Sequence, residues 1–212
     1  AQSVQFLEES HEEPFALWVS FPDPHEPYEV PRRYAEMFPP ESIELPPWPE
    51  DEFDESAPER NRVLKRMLDI SQDSEADVRG IISTYYAMTR FVDDGVGQIL
   101  DALDRLNLTD NTIVVFTADH GDFMGEHGMV VKGGVFYDSL TRVPLIVSYP
   151  REVPSREVDS SMVNTIDIIP TLLQLQGIDA PPEMQGEPLP TVTDASPRDA
   201  AFSEYGTGGQ QY

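Results

Sequence analysis

Two adjacent residues that could bind a metal, Asp119 and His120, directly follow the apolar run at residues 112–117. At the end of a strand, a carboxylate oxygen and an imidazole nitrogen can reach one cation, and Gly121 permits a sharp change of direction. The structural alternative is an aspartate that caps a following helix beside an ordinary surface histidine. The residue types therefore indicate either two ligands of a metal site or a helix cap.

Lys132 and His25 could act on an anion. Lys132 precedes two glycines, and its compact ammonium suits a tetrahedral oxyanion. Only two of the 14 basic residues are lysines, so a merely solvated Lys132 is less expected than usual. His25 lies between Pro24 and Pro27, whose rings stiffen the backbone that directs it. A histidine packed in a rigid surface turn is its alternative, and His127 either lies near the site or holds its loop.

Alternating apolar segments must position these side chains. Buried strands are predicted at residues 15–21, 112–117 and 143–149. Apolar residues at three- and four-residue steps predict a long helix over 78–106, and a shorter helix is predicted over 166–175. This order predicts an α/β fold with a mostly parallel central sheet flanked by helices and a site at the carboxyl ends of its strands.

Local signals refine the two predicted helices. Ser74 and Asp77 form a capping box at the start of the long helix, and Pro170 fits the first turn of the short one. Gly95 and Gly97 inside the long helix indicate close packing on a neighbour. Residues 26–60 form a proline-rich excursion, and residues 180–212 form a tail.

Composition limits the class of protein. The 212 residues include 39 acidic against 14 basic side chains, for a net charge of −25, which excludes a nucleic-acid partner and a polybasic membrane contact. No run of 18 apolar residues predicts a membrane span. Without cysteine the chain has no disulfide and no thiolate nucleophile. The acidity fits either a high-salt surface or an ordinary secreted or periplasmic protein; a cytoplasmic location and the oligomeric state stay open.

Four segments in succession resemble one family. They read VSFPDPHEPY, then YYAMTRFVDDGVGQILDALDRLNLTDNTIVVFTADHGDFMGEHGMVVKGG, then VPLIVSYP, then TIDIIPTLLQLQGIDAPPEMQG. This succession resembles the sulfatase family of the alkaline-phosphatase superfamily, and its Asp-His-Gly form resembles the choline-sulfatase and iduronate-sulfatase types. The resemblance implies that residues 1–212 are the middle and C-terminal part of a sulfatase domain that is truncated at both ends.

The resemblance assigns a role to each candidate residue. Asp119 and His120 would bind a divalent metal, usually Ca²⁺, although an imidazole ligand leaves Mn²⁺ open. His25 would contact the sulfate or the leaving-group oxygen, and Lys132 would bind a sulfate oxygen and the nucleophile. The substrate would be a sulfated small molecule or a sulfated glycan.

One expected element is missing from the sequence. The family's Cys-x-Pro-Ser-Arg segment, or a serine version of it, supplies a formylglycine nucleophile, and we expect it upstream of residue 1. Residues 152–156 imitate that segment with Glu152 in place of the nucleophile, which we interpret as coincidence. We therefore expect the 212 residues alone to be inactive. A phosphonate monoesterase or phosphodiesterase of the same superfamily, or a catalytically dead relative that binds sulfated glycans, are the alternatives.

Overall fold

The computed structural model describes residues 2–47, 51–153, 155, 158–193 and 195–206. Two features of the sequence lie partly outside these ranges. In the imitation motif at 152–156, the positions of Pro154 and Arg156 are not among the described residues, and neither is the end of the tail at 207–212.

The described residues form two compact units. The first comprises Ala1–Leu108 and Gly121–Leu140, and the second comprises Thr109–His120 and Thr141–Tyr212. The first unit contains the helices α1 (Gln2–Ser10), α2 (Arg32–Ala35), α3 (Glu59–Leu68), α4 (Glu75–Arg105) and α5 (Asp138–Thr141, of which the last residue belongs to the second unit), and the strands β2 (Phe123–Met124) and β3 (Val130–Val131). The second unit contains the strands β1 (Val114–Thr117) and β4 (Leu145–Ser148), and the helices α6 (Ile168–Leu175) and α7 (Pro190–Thr193).

Helix α4 is the long helix that the apolar periodicity predicts. It begins at Glu75, after Ser74, whose hydroxyl accepts a hydrogen bond from the Asp77 backbone N–H, so the predicted N-terminal cap is confirmed. Close packing is confirmed at Gly95, where a Cβ atom would lie 3.0 Å from the ring of Phe21. The prediction of close packing is wrong at Gly97, because a Cβ atom there would meet no described atom within 4 Å.

Two apolar clusters form the core of the first unit. One joins α4 to the β2–β3 hairpin through the buried residues Ile43, Ile70, Val78, Ile82 and Met124. The other lies under the loop after β3 and consists of Phe123, Met129, Val135 and Leu140. Burial of each such side chain contributes about 1.5–3 kcal/mol, so the clusters hold the hairpin and the loop against α3 and α4.

The strand predicted at residues 15–21 is not confirmed. These residues pair with no described strand, and Trp18 is 86% exposed. The apolar run satisfies the composition of a buried strand, but a strand also needs a neighbour whose backbone completes its hydrogen bonds. The described part of the chain offers this segment no such neighbour.

The pairing of the other two predicted strands does not confirm the expected parallel sheet. β1 and β4 lie within the predicted runs, but they pair antiparallel, with Val114 opposite Ser148 and Thr117 opposite Leu145. The β2–β3 pair is also antiparallel. A parallel pair needs a crossover connection, usually a helix of several turns, whereas the chain between β1 and β4 contains a short hairpin and only the four-residue α5. Among the described strands no parallel pair is present.

Helix α6 of the second unit is the predicted short helix. Pro170 lies in its first turn, and a capping box between Asn164 and Asp167 precedes it. The buried Asp167 carboxylate also pairs with the Arg198 guanidinium, so this cap ties the tail to the helix.

The proline-rich excursion contains little regular structure. Within it only α2 and one 3₁₀ turn at Pro40–Ser42 are described before α3 begins at Glu59. Of the helices in the described ranges, none combines the length and the apolar character needed to cross a membrane.

Candidate functional site

The backbone around Lys132 is fixed by its neighbours. Val131 has a φ of 69°, which is unfavourable for a β-branched residue and is retained only where surrounding contacts impose it. A Cβ atom at Gly133 would lie 2.2 Å from Leu64 of α3, so the loop backbone packs directly on that helix. The Val135 N–H then donates to the Gly133 carbonyl at 2.8 Å, which closes a tight turn.

The Lys132 side chain points between two carboxylates. Its Nζ atom lies 3.7 Å from Glu26 Oε2 and 3.7 Å from Asp122 Oδ1. The side chain is 24% exposed, and its Nζ is buried without a hydrogen-bond partner among the described residues. A lysine on a solvated surface does not have these properties, so that alternative is wrong.

Asp122 is the buried member of this cluster. Its side chain is 7% exposed, and the Tyr85 phenol on α4 lies close enough to interact electrostatically with its carboxylate. Burial, followed by the negative charge of Asp122, raises the pKa of Tyr85 to about 12. Burial, followed by the charges of Asp122 and Glu26, raises the pKa of Tyr28 to about 12 as well. Two neutral phenols therefore lie close to the carboxylates that surround Lys132.

His25 joins this cluster through its neighbour Glu26. The ring Nδ1 atom lies 2.7 Å from the Glu26 backbone oxygen and 3.5 Å from its carboxylate. Because a carbonyl oxygen only accepts hydrogen bonds, Nδ1 carries the proton in the neutral ring and Nε2 carries the lone pair. A hydrogen bond from its own backbone N–H and the nearby charges of Lys132 and His25 lower the pKa of Glu26. His25 is exposed, with its ring orientation set by this turn.

Asp119 and His120 belong to the second unit, at the end of β1. The His120 backbone N–H donates to Asp119 Oδ1 at 2.9 Å, and Asp119 Oδ2 lies 3.7 Å from His120 Nε2. No helix begins at Asp119, because irregular residues and then β2 follow it. The helix-cap alternative is therefore wrong.

The donor atoms of Asp119 and His120 suit a divalent cation in part. The Asp119 side chain is 88% exposed and can turn a carboxylate oxygen toward an ion that His120 Nε2 also contacts. Within the described ranges no group of three or more acidic or histidine side chains is placed to hold a metal. These two residues therefore fit a metal as part of a larger ligand set, since Ca²⁺ usually takes about 6–8 oxygen ligands.

His127 holds its loop. Its Nδ1 atom lies 2.7 Å from a Glu52 carboxylate oxygen, and its ring packs against Tyr137 with centroids 4.1 Å apart. The structural alternative for this histidine is therefore supported. Two carboxylates beside Lys132, those of Glu26 and Asp122, were not predicted as site residues, and neither was Tyr85 near Asp122. The sequence shows an acidic residue at position 122, but it does not show that this residue is buried.

The raised pKa values of Tyr28 and Tyr85 predict a distinct alkaline behaviour. Near pH 10 an ordinary phenol is half ionised, whereas both of these phenols stay protonated in the folded protein. Replacement of either by Phe should therefore leave the phenolate absorbance of the folded protein unchanged at that pH. In denaturant at the same pH, each variant should show about half a phenolate fewer, because the unfolded phenol is half ionised there.

The same shifts have a consequence for stability. The pKa of each phenol is higher in the folded protein than in the unfolded chain. The free energy of unfolding is therefore unaffected by these two groups below about pH 10 and falls as the pH rises toward 12. Lower phenolate absorbance of a Phe variant in the folded state would contradict the assignment.

Gly121, which follows His120 in the chain, has no space for a side chain. Its N–H donates to the Leu140 carbonyl at 2.9 Å, and a Cβ atom would lie 1.9 Å from the Ser139 carbonyl oxygen. We expect Gly121→Ala to lower the free energy of unfolding by about 2–3 kcal/mol, measured by urea denaturation. Gly80→Ala in α4 is the matched control, because no described atom lies within 4 Å of its added Cβ. That control should stabilise by about 0.5–1 kcal/mol, and equal losses in both variants would contradict the clash.

Comparison with known proteins assigns the family. The sulfatase family model matches residues 1–178, and the chain belongs to the sulfatase family. It is 32% identical over 206 residues to the uncharacterized sulfatase YidJ of Escherichia coli, which covers 96% of this chain and 40% of that protein. It is 31% identical to the choline-sulfatase of Rhizobium meliloti, over 78% of this chain and 32% of that protein, and 30% identical to human iduronate 2-sulfatase, over 85% and 40%.

A solved structure confirms the α/β fold of the superfamily. The phosphonate monoester hydrolase of Agrobacterium radiobacter superposes with a TM-score of 0.73 at 29% identity, and the match covers 97% of this chain and 45% of that one. The resemblance to the choline-sulfatase and iduronate-sulfatase types is thus confirmed. The chain spans less than half the length of each of these proteins.

Proposed function

We propose that the full-length protein hydrolyses a sulfate ester to an alcohol and inorganic sulfate. The observation that carries this proposal, beside the family match, is the Lys132 ammonium. Its Nζ is buried, lies in a strained loop, and makes no hydrogen bond to a described residue. A cation held in this way is suited to an oxyanion that arrives from outside the chain.

The cluster of Lys132, Glu26 and Asp122 needs a further positive charge to bind an anion. One ammonium between two carboxylates gives a net negative cluster, which would repel a sulfate ester by itself. A divalent metal is the further cation that the family resemblance implies. Asp119 and His120 would be among its ligands, and it would polarise the ester. Ca²⁺ is the ion that the family resemblance favours, and Mn²⁺ is the alternative that the imidazole suggests.

His25 suits the role of a proton donor to the leaving group. When protonated, the ring keeps Nδ1 on the Glu26 carbonyl and presents the Nε2 proton, which an alkoxide leaving group would take up. The nucleophile, a formylglycine in this proposal, would come from a segment upstream of residue 1. That upstream part would also complete a parallel central sheet.

The names of the relatives support a proposal on the substrate class, and the acidity of the chain motivates one on the location. We propose a sulfated small molecule or a sulfated glycan as substrate, and a secreted or periplasmic location. Relatives with these activities by name include the choline-sulfatase and an ulvan-active sulfatase of Formosa agariphila.

The second candidate function is phosphonate monoester hydrolysis, which the structural similarity to the Agrobacterium radiobacter enzyme favours. The test is the full-length protein assayed on an aryl sulfate and on an aryl phosphonate monoester, with and without a chelator. Higher kcat/KM on the sulfate, lost with the chelator, is the expected result. Higher kcat/KM on the phosphonate would favour the second candidate, and binding of a sulfated glycan without turnover would identify a catalytically dead relative.

A further inference from the structure

The two lysines of the sequence are held in opposite ways. Lys65 Nζ lies 2.7 Å from Asp69 Oδ1 and 2.7 Å from the Gly128 backbone oxygen, so the fold occupies two of its three N–H donors. Lys132 Nζ lies 3.7 Å from each of its carboxylates, which is within ion-pair range but beyond a hydrogen bond. Its charge is therefore held in place while its donors stay available.

The two carboxylates beside Lys132 are not equivalent. Glu26 is 41% exposed, so water screens its attraction for the ammonium. Asp122 is 7% exposed, and within the described part of the chain Lys132 is the cation that lies in ion-pair range of it. A buried carboxylate needs such a partner, so the Asp122–Lys132 attraction is the stronger of the two.

The Oδ1 atom of Asp122 is buried. It has no hydrogen-bond partner among the described residues, and the Tyr85 phenol on helix α4 lies near the carboxylate. Oδ1 is the atom that lies 3.7 Å from Lys132 Nζ. The ion pair with Lys132 is therefore the interaction that offsets the burial of this oxygen.

We propose that Asp122 is a positioning residue that holds the Lys132 ammonium in place without occupying its N–H donors. This inference rests on the proposed function, in which those donors contact a sulfate oxygen. Asp122 touches no substrate in this proposal and acts through Lys132.

The test uses variants of the full-length protein. Asp122→Asn keeps the shape and removes the charge, and it should lower kcat on an aryl sulfate about 10–100-fold with less than about a 3-fold change in KM, the usual scale for a residue that orients a contacting group. Asp122→Glu, which restores the charge, should recover part of kcat. Asp69→Asn is the matched control, because it removes the carboxylate partner of the other lysine and should leave kcat unchanged.

A second measurement does not depend on turnover. Acylation of Lys132 by an amine reagent, measured by mass spectrometry relative to Lys65, should become several-fold faster in Asp122→Asn, because the amine no longer has to leave a buried partner. If the wild-type protein hydrolyses no sulfate ester, the proposed function fails, and this ratio still decides the role of Asp122.

The outcomes separate clearly. An unchanged acylation ratio in Asp122→Asn, or an equal loss of kcat in Asp69→Asn, would overturn the proposal. If Asp122→Asn does not fold, Asp122→Glu takes its place, because it keeps the charge but moves the carboxylate relative to Lys132 Nζ. It should change kcat and the acylation ratio in the same directions by smaller factors, and no change in either would overturn the proposal.

Discussion

Asp119→Ala in the full-length protein should abolish metal-dependent sulfate ester hydrolysis and leave a folded protein. The carboxylate lies at the end of β1 and is 88% exposed, so its removal leaves no cavity and no unpaired buried group. The same removal deletes a charged ligand from the proposed ligand set, which weakens divalent-ion binding far more than it weakens the fold.

Two measurements check the Asp119→Ala prediction. Metal content by mass spectrometry should fall together with activity, and the melting temperature should stay near that of the wild type. Asp110→Ala is the matched control, since Asp110 is an exposed carboxylate in the 3₁₀ turn just before β1. Full metal content and activity in Asp119→Ala would show that this carboxylate is not a ligand.

Lys132→Ala should lower kcat by about 10²–10³, the usual effect of removing one donor to a developing oxyanion. The structure gives the reason, because the ammonium is held at 3.7 Å from Glu26 and Asp122 with no hydrogen bond to a described residue. Its contribution is expected in the transition state, where charge on the sulfate oxygens is largest.

The matched control for Lys132→Ala is Lys65→Ala. That substitution removes the other lysine, whose hydrogen bonds to Asp69 and Gly128 only support the fold, so it should lower stability and leave kcat unchanged. Steady-state kinetics separate the two kinds of role. A rise in KM with kcat preserved would make Lys132 a ground-state binder and not a stabiliser of the transition state.

Local features of the sequence were sufficient to locate the helices α4 and α6 and the strands β1 and β4. The cap at Ser74 and the apolar spacing that follows it predict α4, and Pro170 fits the first turn of α6, as observed. These signals act over one or two helical turns, so neighbouring residues contain the information. The candidate residues Lys132, His25, Asp119 and His120 were found for the same reason, because their chemistry and their flanking glycines and prolines are local.

Only the tertiary structure decided the pairing of strands and the surroundings of Lys132. Whether β1 meets β4 parallel or antiparallel depends on the path of the chain between them, and the run at residues 15–21 becomes a strand only if a partner is present. Glu26 and Tyr85 reach the Lys132–Asp122 cluster from distant points of the chain. Burial and ion pairing are properties of such long-range contacts, so the sequence identified the lysine by itself, while the fold determined which carboxylates hold it.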